Sequence, residues 1–228
     1  MNRRSLPDFP ALWKRHEELY LKLFSKALGE LAQKDSGAST LDENLISDQL
    51  AIILNRICFE VNKTTKQEIS KPLRELPIQP VEPKDLSSFR QRKKPDFTCD
   101  LINTFADSPE DNQISFHVEC KKLGSPTSMS WILNKNYITE GMSRFDQKSH
   151  EYGNRAPSGV MIGYLVNMTF ETVLDEVNVR IRQLASKMPE IKFILPALGK
   201  TIKTRQDLTR EFVSPKKFAL FHLWVDLI

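Results

Sequence analysis

The sequence predicts an α/β fold, a mixed β-sheet flanked by helices. Two segments alternate apolar and polar residues with period two, the mark of strands. Four longer segments place apolar residues at helical spacing. The two kinds are interspersed in the order α, α, β, β, α, β, α, β, β, which favours one sheet with helices packed against it.

The first helix is read from Leu12 to Gln33, with Leu12, Leu19, Leu23, Ala27, Leu28 and Leu31 on its apolar side and Gly37-Ala38-Ser39 beyond its end. The second runs from Leu41 to about Asn62, striped by Leu45, Ile46, Leu50, Ile53, Leu54 and Ile57. Residues 63–94 change character, because Pro72, Pro77, Pro80 and Pro83 crowd together. Proline lacks an N–H and fixes φ, so this stretch reads as extended loop or edge strand, a surface insertion over about 71–94. It ends in the basic run Arg90-Gln91-Arg92-Lys93-Lys94.

Two strands follow, Asp96 to Ile102 and Ile114 to Lys121. The first sets Phe97, Cys99 and Leu101 against Asp96, Thr98 and Asp100. The second sets Ile114, Phe116, Val118 and Cys120 against Ser115, His117, Glu119 and Lys121. Their short connection predicts an antiparallel hairpin. A helix is expected from about Met129 to Gln147, a buried strand from Gly159 to Val166, an amphipathic helix from Phe170 to Ser186, and strands at Ile191–Leu195 and Phe218–Leu227.

At 228 residues the chain is long enough for one large domain, and it is read as a single domain over 1–228. With 40% hydrophobic and 27% charged residues the composition excludes wholesale disorder. No run of about 18 apolar residues exists, so no membrane span is expected. The start, Met1-Asn2-Arg3-Arg4-Ser5, is followed by Pro7, Asp8 and Pro10 where a secretory signal needs an apolar core; the expectation is cytoplasmic. Three cysteines, Cys58, Cys99 and Cys120, have no C-x-x-C spacing and read as buried small hydrophobes. The net charge of +4 permits a polyanion partner without demonstrating one.

The hairpin carries the chemistry. In an antiparallel pair, Asp96 at the start of one strand faces Glu119 and Lys121 at the end of the other. Cross-strand neighbours lie about 5 Å apart, so two carboxylates and one ammonium converge if the two polar faces coincide. Two carboxylates that close repel unless positive charge lies between them. A divalent cation such as Mg²⁺ suits oxygen ligands of this kind and polarises a phosphodiester, and a neighbouring lysine can orient the attacking water. Pro95-Asp96 followed by Glu119-Cys120-Lys121 resembles the PD-(D/E)xK motif of restriction-endonuclease-like nucleases. E-x-K also occurs at Glu82-Pro83-Lys84 and Glu190-Ile191-Lys192, but neither closes a strand opposite an acidic one.

The resemblance covers about 40–166. It implies a restriction-endonuclease-like core of order α-β-β-β-α-β, with the strand before Asp96 falling in the proline-rich stretch. It implies Asp96, Glu119 and Lys121 as catalytic residues. Asp96, Glu119, the Cys120 carbonyl and Glu43 would bind Mg²⁺, with Mn²⁺ as a substitute. The implied function is a Mg-dependent endonuclease acting on nucleic acid, DNA before RNA, of the kind that serves in restriction or phage defence. Two cuts in a duplex point to a homodimer or a companion defence subunit. The alternatives are a catalytically idle member of the same fold that binds nucleic acid or a partner protein, and a hydrolase of another phosphate ester.

Several of these residues carry a plainer reading as well. Glu119 and Lys121 also make sense as a solvated ion pair. Glu43 also completes a capping box, Thr40-Leu41-Asp42-Glu43, bonding back to the Thr40 amide. His117 shares the face as a polar neighbour. The basic residues Lys122, Arg144, Arg92, Lys93 and Lys94 are candidates for the nucleic-acid backbone, Arg144 from the helix after the second strand; a solvated loop is the other reading of the Arg90–Lys94 run. Gly141 in that helix suggests close approach of another backbone.

Overall fold

A computed structural model describes residues 8–33, 37–66, 68–80, 93–184, 188–193 and 200–228. The elements are α1 (Phe9–Gln33), α2 (Glu43–Thr65), β1 (Leu73–Arg74), β2 (Phe97–Ile102), β3 (Gln113–Leu123), α3 (Leu133–Thr139), β4 (Ser158–Leu165), α4 (Phe170–Gln183), β5 (Thr201–Thr209) and β6 (Lys217–Asp226). The strands form one mixed sheet in the order β1-β2-β3-β4-β6-β5. The β1–β2, β2–β3 and β5–β6 pairs are antiparallel, and β3–β4 and β4–β6 are parallel.

Both faces of the sheet are covered. On one face Phe24, Leu28 and Leu31 of α1 and Ile46, Leu50 and Ile53 of α2 pack against Phe116, Val118 and Cys120 of β3 and Val160 and Ile162 of β4. On the other, Tyr137 and Ile138 of α3 and Val173, Val177 and Ile181 of α4 pack against Leu123, Met161, Leu220 and Trp224. A strand covered twice has no polar face, which is why every residue of β4 is buried. All three cysteines are buried thiols, as their apolar surroundings predict. Among the described residues no helix is long and apolar enough to cross a membrane.

The antiparallel hairpin is present, with Cys99 opposite Phe116 and Phe97 opposite Val118. Ahead of it the described part of the proline-rich stretch contributes the two residues of β1, and the pairing continues past them. The Glu75 amide donates to the Asp96 carbonyl and the Ile78 amide to the Lys93 carbonyl, at 3.2 and 3.1 Å. Pro77 interrupts the ladder between those two bonds, which confines regular strand to Leu73–Arg74.

Two expectations need correction, and one strand was not expected. The helix placed at 129–147 is shorter: α3 stops at Thr139 and a 3₁₀ turn, Met142–Asp146, follows Gly141. A Cβ on Gly141 would lie 2.5 Å from both the Met161 side chain and the Tyr137 carbonyl, so the chain breaks here to let β4 approach. No strand begins at Ile191, because Asn178 of α4 takes both its backbone groups, amide and carbonyl, at 2.9 Å each; Leu195 lies outside the described residues. The edge strand is instead β5, which buries Ile202, Gln206 and Leu208 and points Lys203, Arg205 and Asp207 outward. A glutamine facing inward hid its alternation. Its outward charges discourage pairing with another sheet edge.

Candidate functional site

The β2–β3 register brings Asp96 level with Glu119 just where the regular ladder ends at Phe97 and Val118. Asp96 therefore sits one residue before β2 and not within it. Its carboxylate takes over from the ladder: Oδ2 accepts the Cys120 amide at 2.7 Å. Glu119 and Lys121 project from the end of β3 on one side, as the alternation predicts. Lys121 Nζ lies 2.9 Å from Glu119 Oε1, 2.8 Å from Glu43 Oε1 and 2.7 Å from the Cys120 carbonyl oxygen. The ammonium thus stands between two carboxylates contributed by β3 and α2. Arg144, from the 3₁₀ turn, closes a further ion pair with Glu119.

Glu43 does not cap α2. The cap is Asp42, whose carboxylate accepts the Leu45 amide at 2.8 Å, while the Thr40 amide bonds to the Gly37 carbonyl at 2.9 Å. Freed from that duty, Glu43 spans α2 and β3, holding Lys121 by one oxygen and the Lys122 amide by the other at 2.8 Å. The Lys122 amine in turn donates to the Leu41 carbonyl, tying down the approach to α2.

Sequence reasoning overlooked Arg74. From β1 its guanidinium reaches Asp96 Oδ1 at 3.2 Å, Asp48 at 3.1 Å and the Asn44 carbonyl at 3.4 Å. It therefore binds the Asp96 carboxylate to the first turns of α2. A lone arginine among prolines carries no pattern that would have singled it out; only the register of β1 against β2 brings it to the site.

The side chain of Glu119 is 1% exposed, so the solvated ion-pair reading fails. Burial and the neighbouring Asp96 raise its pKa, and Lys121 and Arg144 oppose the rise only in part. Burial also raises the pKa of Asp96, against the pull of Lys121 and the Cys120 amide. Burial disfavours the charge on Lys121, but Glu119, Glu43 and Asp96 outweigh it and raise its pKa. Glu119 Oε2 and Arg144 Nε are buried without a hydrogen-bond partner among the described residues. Apolar side chains would fill such a space at less cost, and clusters of this kind concentrate at functional sites.

Among the described residues no group of three His, Cys, Asp or Glu side chains is arranged to hold a metal by itself. The oxygen donors nonetheless suit a hard divalent ion. Glu119 has an orphaned buried oxygen, both Glu119 and Asp96 have raised pKa values that a cation would relieve, and the Cys120 carbonyl opens on the same space as Lys121.

A cleft of about 420 Å³ adjoins the cluster, lined by Glu43, Lys121, Lys122, Arg144, Trp131, Asn136 and Glu140. Of the proposed backbone contacts, Lys122 and Arg144 thus reach the cleft, though Arg144 is engaged by Glu119. Lys94 is exposed and Lys93 half-buried on the stretch leading into Asp96, and Arg92 lies outside the described residues. His117 is a structural residue: its Nδ1 accepts the Gly153 amide at 3.0 Å, and burial lowers its pKa to about 4.

In comparisons with known proteins, the chain matches no family model, no curated protein and no solved structure.

Proposed function

We propose that the protein is a divalent-metal-dependent nuclease of the PD-(D/E)xK kind, acting on DNA in preference to RNA. The observation that carries this reading is the convergence of Asp96, Lys121 and Glu43 on the buried Glu119 at the open end of one hairpin, beside a cleft lined by Lys121, Lys122 and Arg144 with Glu43 and Glu140. The element order α2, β1, β2, β3, α3, β4 also follows the α-β-β-β-α-β order of that superfamily.

Asp96, Glu119 and the Cys120 carbonyl are the oxygens that would hold Mg²⁺ or Mn²⁺, with Glu43 in support. Such an ion, when bound, draws charge from a phosphodiester and makes a water more acidic. Lys121, tethered to Glu43, orients the attacking water and offsets negative charge gathering on phosphorus. Arg144 holds the buried carboxylate of Glu119 in place, and Arg74 does the same for Asp96. Lys122 and Lys94 supply positive charge for the backbone.

The test is purified protein with single- and double-stranded DNA and RNA, with Mg²⁺, Mn²⁺ or EDTA. Metal-dependent cleavage is expected. Lys121→Ala lowers the rate about 10²–10³-fold, and Asp96→Ala and Glu119→Ala remove it, while circular dichroism stays native. A Lys121→Ala variant that cleaves at the wild-type rate sinks the assignment.

One observation favours a second reading, a catalytically idle member that binds nucleic acid: the Lys121 ammonium already bridges Glu43 and Glu119. Salt-sensitive binding without cleavage in either metal would select it.

A further inference from the structure

Three tryptophans are present, and two of them, Trp13 and Trp224, are buried at 3% and 0% exposure. Trp131 is 57% exposed, at the wall of the cleft beside the cluster. An aromatic ring left in water forgoes a large burial gain. Nothing loose accounts for it, because the turn that presents Trp131 is well bonded. Its amide donates to Ser128 Oγ at 3.0 Å, and its carbonyl accepts the Thr127 amide at 3.2 Å. Upstream, the Gly124 and Ser125 amides are held by the side chains of Asn134 and Asn167 at 2.9 and 2.7 Å. The ring is held out by structure.

The rest of the cleft says what the ring could meet. Lys121 and Arg144 are already paired with Glu43, Glu119 and Glu140, which leaves Lys122 as the cation in the lining for a phosphate. An exposed π face beside a cleft of about 420 Å³ that has Lys122 in its lining suits one nucleotide. A base inside a duplex has both faces covered by its neighbours and cannot use such a platform without leaving the stack.

We infer that Trp131 is the stacking platform for an unpaired nucleobase beside the scissile phosphate, so that the site takes nucleic acid with a single-stranded segment in the cleft. This rests on the nuclease reading of the adjoining cluster.

The experiment measures binding in EDTA, where cleavage plays no part. The probes are a fluorescein-labelled single-stranded DNA oligonucleotide, its blunt duplex, and the same single strand carrying abasic sites. Saturating single strand should change the intrinsic tryptophan emission of the wild type, and Trp131→Phe should abolish that change, since the remaining indoles are buried. Trp131→Ala should weaken single-strand binding about 5- to 150-fold, the equivalent of 1–3 kcal/mol per stacked base. Trp131→Phe should retain most of it, duplex binding should not change, and the abasic strand should bind wild type and Trp131→Ala alike. An unchanged melting temperature excludes misfolding of this exposed site.

Equal losses on single strand and duplex, no loss on either, or no emission change in the wild type would overturn the inference. The nuclease assignment fails separately: wild type that shows the emission change yet cleaves nothing in Mg²⁺ or Mn²⁺ upholds stacking and removes catalysis. Wild type that cleaves while Trp131→Ala binds as before does the reverse.

Discussion

Arg74 shows how a single side chain can set the geometry of another's carboxylate. Its guanidinium serves Asp96 with one nitrogen while the others reach Asp48 and the Asn44 carbonyl, so Asp96 is referenced to α2 and not only to its own strand. Lysine cannot fork in this way. On the proposed nuclease reading, Arg74→Ala should therefore lower cleavage about tenfold or more, with weaker Mn²⁺ binding, since misplacing a reacting group by an ångström is costly in rate. Arg74→Lys should recover part of the loss by supplying charge without the fork. A rate and Mn²⁺ affinity unaffected by Arg74→Ala would show that the Cys120 amide alone orients Asp96.

At the scale of elements, the site depends on where α3 ends. The break at Gly141 turns the chain so that Arg144, three residues on, meets Glu119. Alanine at 141 would press its Cβ on the Tyr137 carbonyl, a backbone atom with little freedom to yield. Overpacking of this sort costs about 1–3 kcal/mol, and at roughly 2–4 °C per kcal/mol for a chain of this size the melting temperature should fall by several degrees. On the same nuclease reading, cleavage should fall further than stability explains, because Arg144 moves with the turn. A Gly141→Ala protein with native melting and native rate would refute this account. The other end of the site is set by α2: with Asp42 as the cap, the first helical residue, Glu43, is free to reach across to β3.

Across the whole molecule, covering both faces of the sheet leaves histidines that the fold keeps neutral. Burial lowers the pKa of His117 to about 4 and that of His222 to about 3, from 6.5. His222 is held between the Tyr137 hydroxyl at 2.7 Å and Gln206 at 3.2 Å, and Trp224 donates to the same hydroxyl. Below pH 6.5 the unfolded chain takes up protons that these imidazoles refuse, so their contribution is fully present above 6.5 and is lost as pH falls towards 4. For His117 the shift from 6.5 to about 4 corresponds to at most about 3 kcal/mol. Glu119 works the other way, because a raised carboxyl pKa favours the folded state as pH falls. The histidine effect is therefore read as a difference. His117→Asn leaves an acceptor for the Gly153 amide, and the gap in melting temperature between wild type and this variant should narrow as pH falls from 6.5 to 4. A gap constant with pH would mean that His117 titrates normally in the fold.

Residue order alone determined the paired strands, the buried β4, the α/β class and the meeting of Asp96, Glu119 and Lys121, because period-two alternation and a short connection are local and leave one antiparallel register. It did not determine which partners the charged residues would choose. Whether Glu43 capped a helix or crossed to Lys121, whether Arg144 stood free or paired with Glu119, and that Arg74 belonged to the site at all were decided by packing. Each is a contact between residues dozens of positions apart, and its energy depends on burial that only the assembled sheet and its two helical layers create. The same holds for β5, whose pattern becomes readable only once β6 supplies an edge, and for Trp131, whose exposure acquires meaning only beside the cleft.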